Sequence, residues 1–308
     1  VAGVRVPRRL PQVLLVVLAA LGLAAAGSVV YVGYAAADRL IHPPRDLDPR
    51  TPAWDGLAYD DVTFTTSDGI PLAGWWIPAD AAPNATARPT VVFLHGYGAS
   101  KAQSLSVDGF LHRAGYNVLA FDFRAHGQSG GSYTTVGLDE VEDVRAALGW
   151  LASAPPGSDP SEVALMGWSM GAATALNAAA HGIHVRALVL DSPFASLDVV
   201  AGRILTQSTG LPAQPFATVG FAWAQWMTHA SVRDDRPVAE APHVATPLLV
   251  IQGLSDTLAG GGGQAVSAAA GPNATLWLVP GAGHVDAVNE QPAEYQARVL
   301  SFLDRAFA

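Results

Sequence analysis

Six short apolar runs recur along this chain: "TVVFLHG", "YNVLAFDFRAHG", "VALMGW", "VRALVLD", "PLLVIQG" and "TLWLVPG". Each is the length of a buried strand, and most are separated by a stretch with helical spacing. Ala102 to Arg113 reads as a helix. So does "GLDEVEDVRAALGWLAS", with Leu138, Val141, Val144, Ala147/Leu148 and Leu151 on one face and acids at its start. "GAATALNAAA", "GQAVSAAAG" and the closing "PAEYQARVLSFLDRAF" follow the same pattern, the last with Tyr295, Val299, Phe302 and Leu303 on one side. Strands separated by helices predict a parallel sheet covered on both faces. Right-handed crossovers put the strand C-terminal ends on one edge, where ligands bind. "YDDVTFTTSDGIPLAGWWIP" adds two β-type segments around Ser67-Asp68-Gly69, a hairpin signal. The expectation is an α/β fold with a mostly parallel eight-stranded sheet.

The rhythm breaks between Ser192 and Pro242, where two helical patterns occur without a strand. This segment reads as a helical lid, inserted over the strand ends at about 192–242. Phe216, Val219, Trp223, Trp226 and Met227 recur within it at roughly helical spacing. Such a stripe fits packing of lid on body, an apolar pocket for an acyl chain, or a face resting on a membrane.

Val13 to Ala37 carries no charge, and about 20 such residues span a bilayer core. Arg5, Arg8 and Arg9 precede it, while Tyr31 and Tyr34 fall near its far end, where interfacial aromatics sit. The run is longer than a signal-peptide core, although "AAA" at Ala35 to Ala37 resembles a cleavage site. A buried core helix is the third reading. Length favours an uncleaved anchor. Arg39, Arg45 and Arg50 nearly balance the arginines on the other flank, but Arg8 and Arg9 abut the run and put the short tail inside and the large domain outside. The chain then divides into a basic tail (1–12), a transmembrane anchor (13–37), a proline-rich spacer (38–58) and a globular domain (59–308). A net charge of −9 argues against nucleic-acid binding, and the absence of cysteine removes thiolate chemistry and disulfides.

Every chemical motif follows a strand. Gly167-Trp168-Ser169-Met170-Gly171 stands between "VALMGW" and a helix. A serine hydroxyl needs exposure, orientation and a nearby base to act as a nucleophile. A sharp strand-to-helix turn supplies the first two, and it requires small residues two before and two after. The same turn puts the Met170 N–H at a helix N-terminus, ready for an oxyanion.

With "SDGIPLAGWWIP", "FLHGYGAS", "FDFRAHGQSGG", "GWSMGAAT", "QGLSDTL" and "GAGHVD" in this order, the chain from about Tyr59 onward resembles the α/β-hydrolase superfamily. In character it is similar to small membrane-anchored bacterial serine hydrolases, described as serine-aminopeptidase-like or prolyl-oligopeptidase-like. The resemblance implies Ser169 as nucleophile, Asp256 as acid and His284 as base, in the superfamily's chain order. It also implies a second oxyanion donor at the Tyr97 N–H. The loop here departs from the HGGG form of many lipases, and Trp168 stands where many of them have histidine.

Asp191, after "RALVL", is the rival acid, since some members place it one strand earlier. His95 reads as shaping the oxyanion loop, His126 as structural, and Asp122 and Arg124 as a paired couple. Asp286 reads as a surface residue, and the Gly260 to Gly263 run as a flexible connection. Asn84 and Asn273 head short "NAT" matches to a glycosylation acceptor. The implied activity is cleavage of an ester, thioester or amide through an acyl-enzyme, with carboxylesterase or lipid-ester chemistry first and peptidase or acyltransferase next. The implied partner is a small-molecule or lipid-like acyl substrate, with no cofactor and no metal. A non-catalytic binding protein on the same fold is the reading from another class.

Overall fold

The computed structural model describes residues 10–80, 88–153, 155 and 157–308. Arg5, Arg8, Arg9 and the acceptor match at Asn84 lie outside the described residues. A long helix, α1 (Leu10–Ile41), leads into a hairpin of β1 (Asp60–Thr65) and β2 (Pro71–Ile77). The chain then alternates: β3 (Arg88–Leu94), α2 (Leu105–Arg113), β4 (Asn117–Phe121), α3 (Glu140–Ala152), β5 (Ser158–Trp168), α4 (Met170–Ala180) and β6 (Ala187–Asp191). The lid follows as α5 (Leu197–Thr209), α6 (Phe216–Thr228) and the short α7 (Pro237–Glu240). After it come β7 (Leu248–Gly253), α8 (Gly262–Ala270), β8 (Ala274–Val279), α9 (Ala287–Glu290) and α10 (Pro292–Phe307).

The strands form one sheet in the order β1-β2-β4-β3-β5-β6-β7-β8. β2 runs antiparallel to both its neighbours, and every pair from β4 to β8 is parallel. Strand side chains alternate between faces. Val92 and Leu94 of β3 join one core with residues of α3, α4 and α8, while Val91 and Phe93 join the other with α2 and α10. Both faces are covered, so β3, β4 and β6 read as continuous apolar runs rather than as alternating ones.

From β3 the chain crosses first to β4 on one side and then to β5 on the other. This reversal opens a crevice at the C-terminal ends of β3 and β5, the place where open α/β sheets bind ligands. Leu94 and Gly167 pair across it, one residue before His95 and two before Ser169.

The uncharged run continues as helix through Asp38 to Ile41, because Gly33, Ala37 and Ile41 extend a period-four stripe that packs inward. Its partner is the lid helix α6. A Cβ on Gly33 would lie 2.7 Å from a Val219 methyl, and one on Gly220 would lie 3.2 Å from the Gly33 carbonyl. Ala37 and Ile41 are each 1% exposed and share a core with Ala217, Phe221 and Ala224.

The segment read as a spacer is stitched to the body. The Arg45 guanidinium donates to the carbonyls of His126 (3.3 Å), Gly127 (3.0 Å), Ser129 (2.5 Å) and Gly131 (2.9 Å). Thr134 N–H donates to the Ile41 carbonyl at 2.8 Å, and the Ser100 hydroxyl donates to Asp46 at 2.9 Å.

Candidate active site

β5 ends at Trp168, and Ser169 turns the chain into α4 with φ 52° and ψ −111°. For a non-glycine residue this backbone costs on the order of 1–3 kcal/mol, and it persists only where packing enforces it. The flanking glycines are that enforcement. A Cβ on Gly167 would stand 2.2 Å from the Gly171 carbonyl oxygen, and one on Gly171 would stand 2.0 Å from that of Leu94. Ser169 N–H is held by the Asp191 carbonyl at 2.9 Å, which ties the turn to the end of β6.

Three distant side chains converge there. His284 Nε2 lies 2.8 Å from Ser169 Oγ, and His284 Nδ1 lies 2.8 Å from Asp256 Oδ2. Asp256 Oδ2 also accepts from Gln252 Nε2 at 2.8 Å, while Oδ1 accepts the Leu258 and Ala259 N–H groups at 2.9 Å each. Burial pushes the Asp256 carboxyl up, but the hydrogen bonds from His284, Ala259 and Gln252 outweigh it and leave it below the usual carboxylate range. A charged carboxylate facing Nδ1 fixes that nitrogen as the N–H donor, so Nε2 presents its lone pair to the serine hydroxyl.

The acid loop and the histidine loop are held against each other. Ser255 N–H donates to the Ala282 carbonyl at 2.9 Å, and a Cβ on Gly253 would meet the Ala282 and Gly283 carbonyl oxygens at 2.4 Å. Gln252 was not singled out in the sequence. An amide closing an otherwise apolar buried strand was the available signal. Its other end accepts the Gly263 N–H at 2.9 Å, and a Cβ on Gly263 would stand 2.8 Å from that oxygen. Gly262 and Gly263 are required for close packing here, since a Cβ on Gly262 would stand 2.3 Å from the Pro193 carbonyl oxygen.

Asp191 lies apart from this array. It is fully buried, its Oδ1 accepts the Ser192 hydroxyl at 2.9 Å, and burial pushes its carboxyl up to about 6. Ser192 Oγ in turn accepts the Val285 N–H at 3.0 Å, so Asp191 supports the histidine loop from below without touching the ring. Asp286 sits at the rim of the adjacent cleft and accepts from Asn289 at 3.0 Å.

The loop after β3 passes close to the serine: a Cβ on Gly96 would be 3.6 Å from that of Ser169. His95 holds this loop. Its Nε2 accepts the Phe123 N–H at 3.0 Å, so Nδ1 carries the proton and donates to the Gly96 carbonyl at 2.8 Å. Burial drives its pKa down to about 3. Both nitrogens are engaged, and the ring is a neutral structural element. His126 Nδ1 donates to the Arg124 carbonyl at 2.8 Å, its ring centroid lying 5.0 Å from that of His95 and 5.9 Å from that of Tyr97. The N–H groups of Tyr97 and Met170 find no protein acceptor among the described residues outside regular helix and strand bonding. Both belong to backbone adjoining Ser169.

Asp122 and Arg124 do not pair with each other. Asp122 takes the Lys101 ammonium at 2.8 Å and the Lys101 and Gln128 N–H groups at 2.6 and 2.9 Å. Arg124 instead binds Asp143 at 2.7 Å and Asp68 at 3.0 Å. The chain turns at the end of β4, and the two side chains go to different elements.

Beside His284 opens a cleft of about 830 Å³. Its lining combines Trp168, Gln103 and Val285 of the body with Asp46, Arg50 and Trp54 of the post-helix segment. Trp168 is fixed there by an N–H bond to the Tyr295 hydroxyl at 3.1 Å. Among the described residues no cluster of His, Asp or Glu could hold a metal ion.

The Alpha/beta hydrolase family model matches residues 91–298. The chain is a member of the alpha/beta hydrolase family. The Mycobacterium tuberculosis protein Rv2307c is 32% identical to it over 275 residues, covering 88% of each chain. YfhR of Escherichia coli K12 is 26% identical over 253 residues, 81% of this chain and 82% of its own. Among solved structures, the Pyrococcus furiosus esterase Pf2001 superposes with a TM-score of 0.73 at 33% identity, covering 87% of this chain and 99% of that one. This alpha/beta hydrolase is an enzyme of the hydrolase class, with an apolar helix near its N-terminal end that is long enough to cross a membrane.

Proposed function

We propose that this hydrolase is a membrane-anchored carboxylesterase that cleaves an ester of a small or lipid-like acyl substrate through a Ser169–His284–Asp256 triad. The observation that carries the reading is the pair of 2.8 Å contacts through the two His284 nitrogens. In the expected cycle His284 Nε2 takes the Ser169 proton as Oγ bonds to the carbonyl carbon. The tetrahedral oxyanion accepts from the N–H groups of Tyr97 and Met170, each such donor being worth about 100- to 1,000-fold in rate. His284 then protonates the leaving alkoxide as the C–O bond breaks. Water, deprotonated by the same nitrogen, attacks the acyl carbon; the bond to Ser169 Oγ breaks, His284 returns the proton to Oγ, and the acid is freed. Asp256 keeps the ring in the required tautomer throughout, and the chemistry needs no cofactor.

Ester cleavage leads because the esterase Pf2001 is similar over nearly its whole length. Asp46, Asp48 and Arg50 in the cleft lining suit an ester that carries a polar headgroup. An uncleaved anchor is favoured because Ala35 to Ala37 lie inside α1, with Ala37 packed against the lid rather than extended and accessible. On this reading the catalytic domain is extracytoplasmic, and protease added to intact cells should digest it. A fluorophosphonate probe with peptide mapping tests the nucleophile. Labelling should fall on the Ser169 peptide and vanish in Ser169→Ala; labelling that persists there would overturn the reading. A panel of esters, thioesters and amides then ranks the bond cleaved.

A further inference from the structure

α1 is exposed on all sides from Gln12 to Ser28, and one of its faces is covered from Val29 onward. Those 17 bare residues measure roughly 26 Å at 1.5 Å each, close to the ~30 Å hydrocarbon core of a bilayer. The docked section, Gly33 to Ile41, therefore falls at the headgroup boundary, and α6 is packed against it. No Asp, Glu, Lys or Arg occurs from Ile204 to Val232, so α6 and its flanks are as bare of charge as the anchor.

Its aromatic residues stand at the same level as those of α1. Trp223 packs edge-on against Tyr34 at 5.5 Å and against Trp226 at 5.5 Å. Trp226 is 68% exposed and Tyr31 is 71% exposed. Exposed indole and phenol rings gathered at one depth are the composition of an interfacial belt, where an apolar body and a polar tip are both satisfied. The Tyr97 hydroxyl donates to the Arg39 carbonyl at the end of α1, so the loop beside Ser169 lies next to the same level.

We infer that the lid helix α6 rests in the lipid headgroup boundary with Trp226 inserted, so that the lid is a second membrane contact and the active site opens at the bilayer surface. The inference rests on the reading of α1 as an uncleaved anchor, and it narrows the substrate to an ester resident in that leaflet.

The chain has no cysteine, so a single introduced cysteine takes a fluorophore uniquely. Trp226→Cys, Leu18→Cys and Ala297→Cys, the last on the exposed face of α10, are labelled with a nitrobenzoxadiazole dye and reconstituted as full chains in phosphatidylcholine vesicles. Hydrolysis of a soluble ester confirms that each labelled variant is folded. The dye at 226 should emit to the blue and be quenched by phosphatidylcholine spin-labelled near the headgroup. The dye at 18 should be quenched by lipid spin-labelled deep in the chain, and the dye at 297 by neither. Quenching at 18 without quenching at 226 overturns the lid contact and leaves the anchor standing. No quenching at 18 overturns the anchor, and the inference with it.

Discussion

Replacing Asp256 by Asn tests the array where its geometry is least forgiving. The carboxylate receives four hydrogen bonds: from His284 and Gln252 on Oδ2, and from the Leu258 and Ala259 N–H groups on Oδ1. An asparagine that keeps its oxygen toward the two backbone donors places its NH₂ against His284 Nδ1 and Gln252 Nε2. Gln252 cannot turn over to accept it, because its oxygen is held by the Gly263 N–H. The imidazole must then accept at Nδ1 and carry its proton on Nε2, which leaves Ser169 without a base. A serine hydrolase with that inverted tautomer loses about 10,000-fold in kcat, roughly 5.5 kcal/mol of transition-state stabilisation. Asp191→Asn removes a carboxyl that touches neither ring nitrogen, so kcat/KM should stay within about an order of magnitude of the parent. The assay is the initial rate on a soluble p-nitrophenyl ester, with the folded fraction checked by thermal melting. Near-normal turnover in Asp256→Asn together with collapse in Asp191→Asn would refute the assignment of the acid.

Three further substitutions probe the supports. Gly171→Ala drives a methyl into the Leu94 carbonyl and should cost about 1–3 kcal/mol or displace the Ser169 turn, read as a lowered Tm with lost probe labelling. Arg45→Ala frees four carbonyls of the loop that backs His126 and Tyr97; kcat should fall about tenfold and Tm should fall as part-buried carbonyls lose their donor, and an unchanged kcat would deny Arg45 a positioning role. Asp108 is buried and its carboxyl is pushed up to about 7 by desolvation, so the folded chain holds a proton that the unfolded chain releases near pH 4. Stability is then fully present below that point and declines as pH rises toward about 7. The Tm gain of Asp108→Asn over the parent should therefore be larger at about pH 8 than at about pH 5, and an equal gain would exclude a buried charge.

The sheet and the position of Ser169 were legible in the sequence because both depend on local patterns. Strand runs such as "VALMGW" announce burial on two faces, and glycines two residues either side of a serine announce a crowded turn. The eight strands and the two lid helices follow from that reading. The partners of Asp122 and Arg124 were not legible. Two charges two residues apart look like a couple, yet the chain bends between them and each meets a residue from another element. The docking of residues 38–58 was hidden for a different reason. Arg45 binds backbone carbonyls, which every residue possesses, so nothing in the loop from His126 to Gly131 advertises the site. The end of α1 was obscured by Asp38 and Arg39, whose charges suggest a boundary although Ala37 and Ile41 carry the packing stripe onward.

Because Arg45, Ile41 and Arg39 knot the exit of α1 to the loops that follow β3 and β4, the hydrolase does not hang from a slack tether. With α6 in the headgroup boundary as inferred, its mouth faces the sheet of lipids at a set height and tilt. Search for substrate becomes diffusion in a plane rather than in a volume, and esters held on an opposing vesicle fall outside its reach.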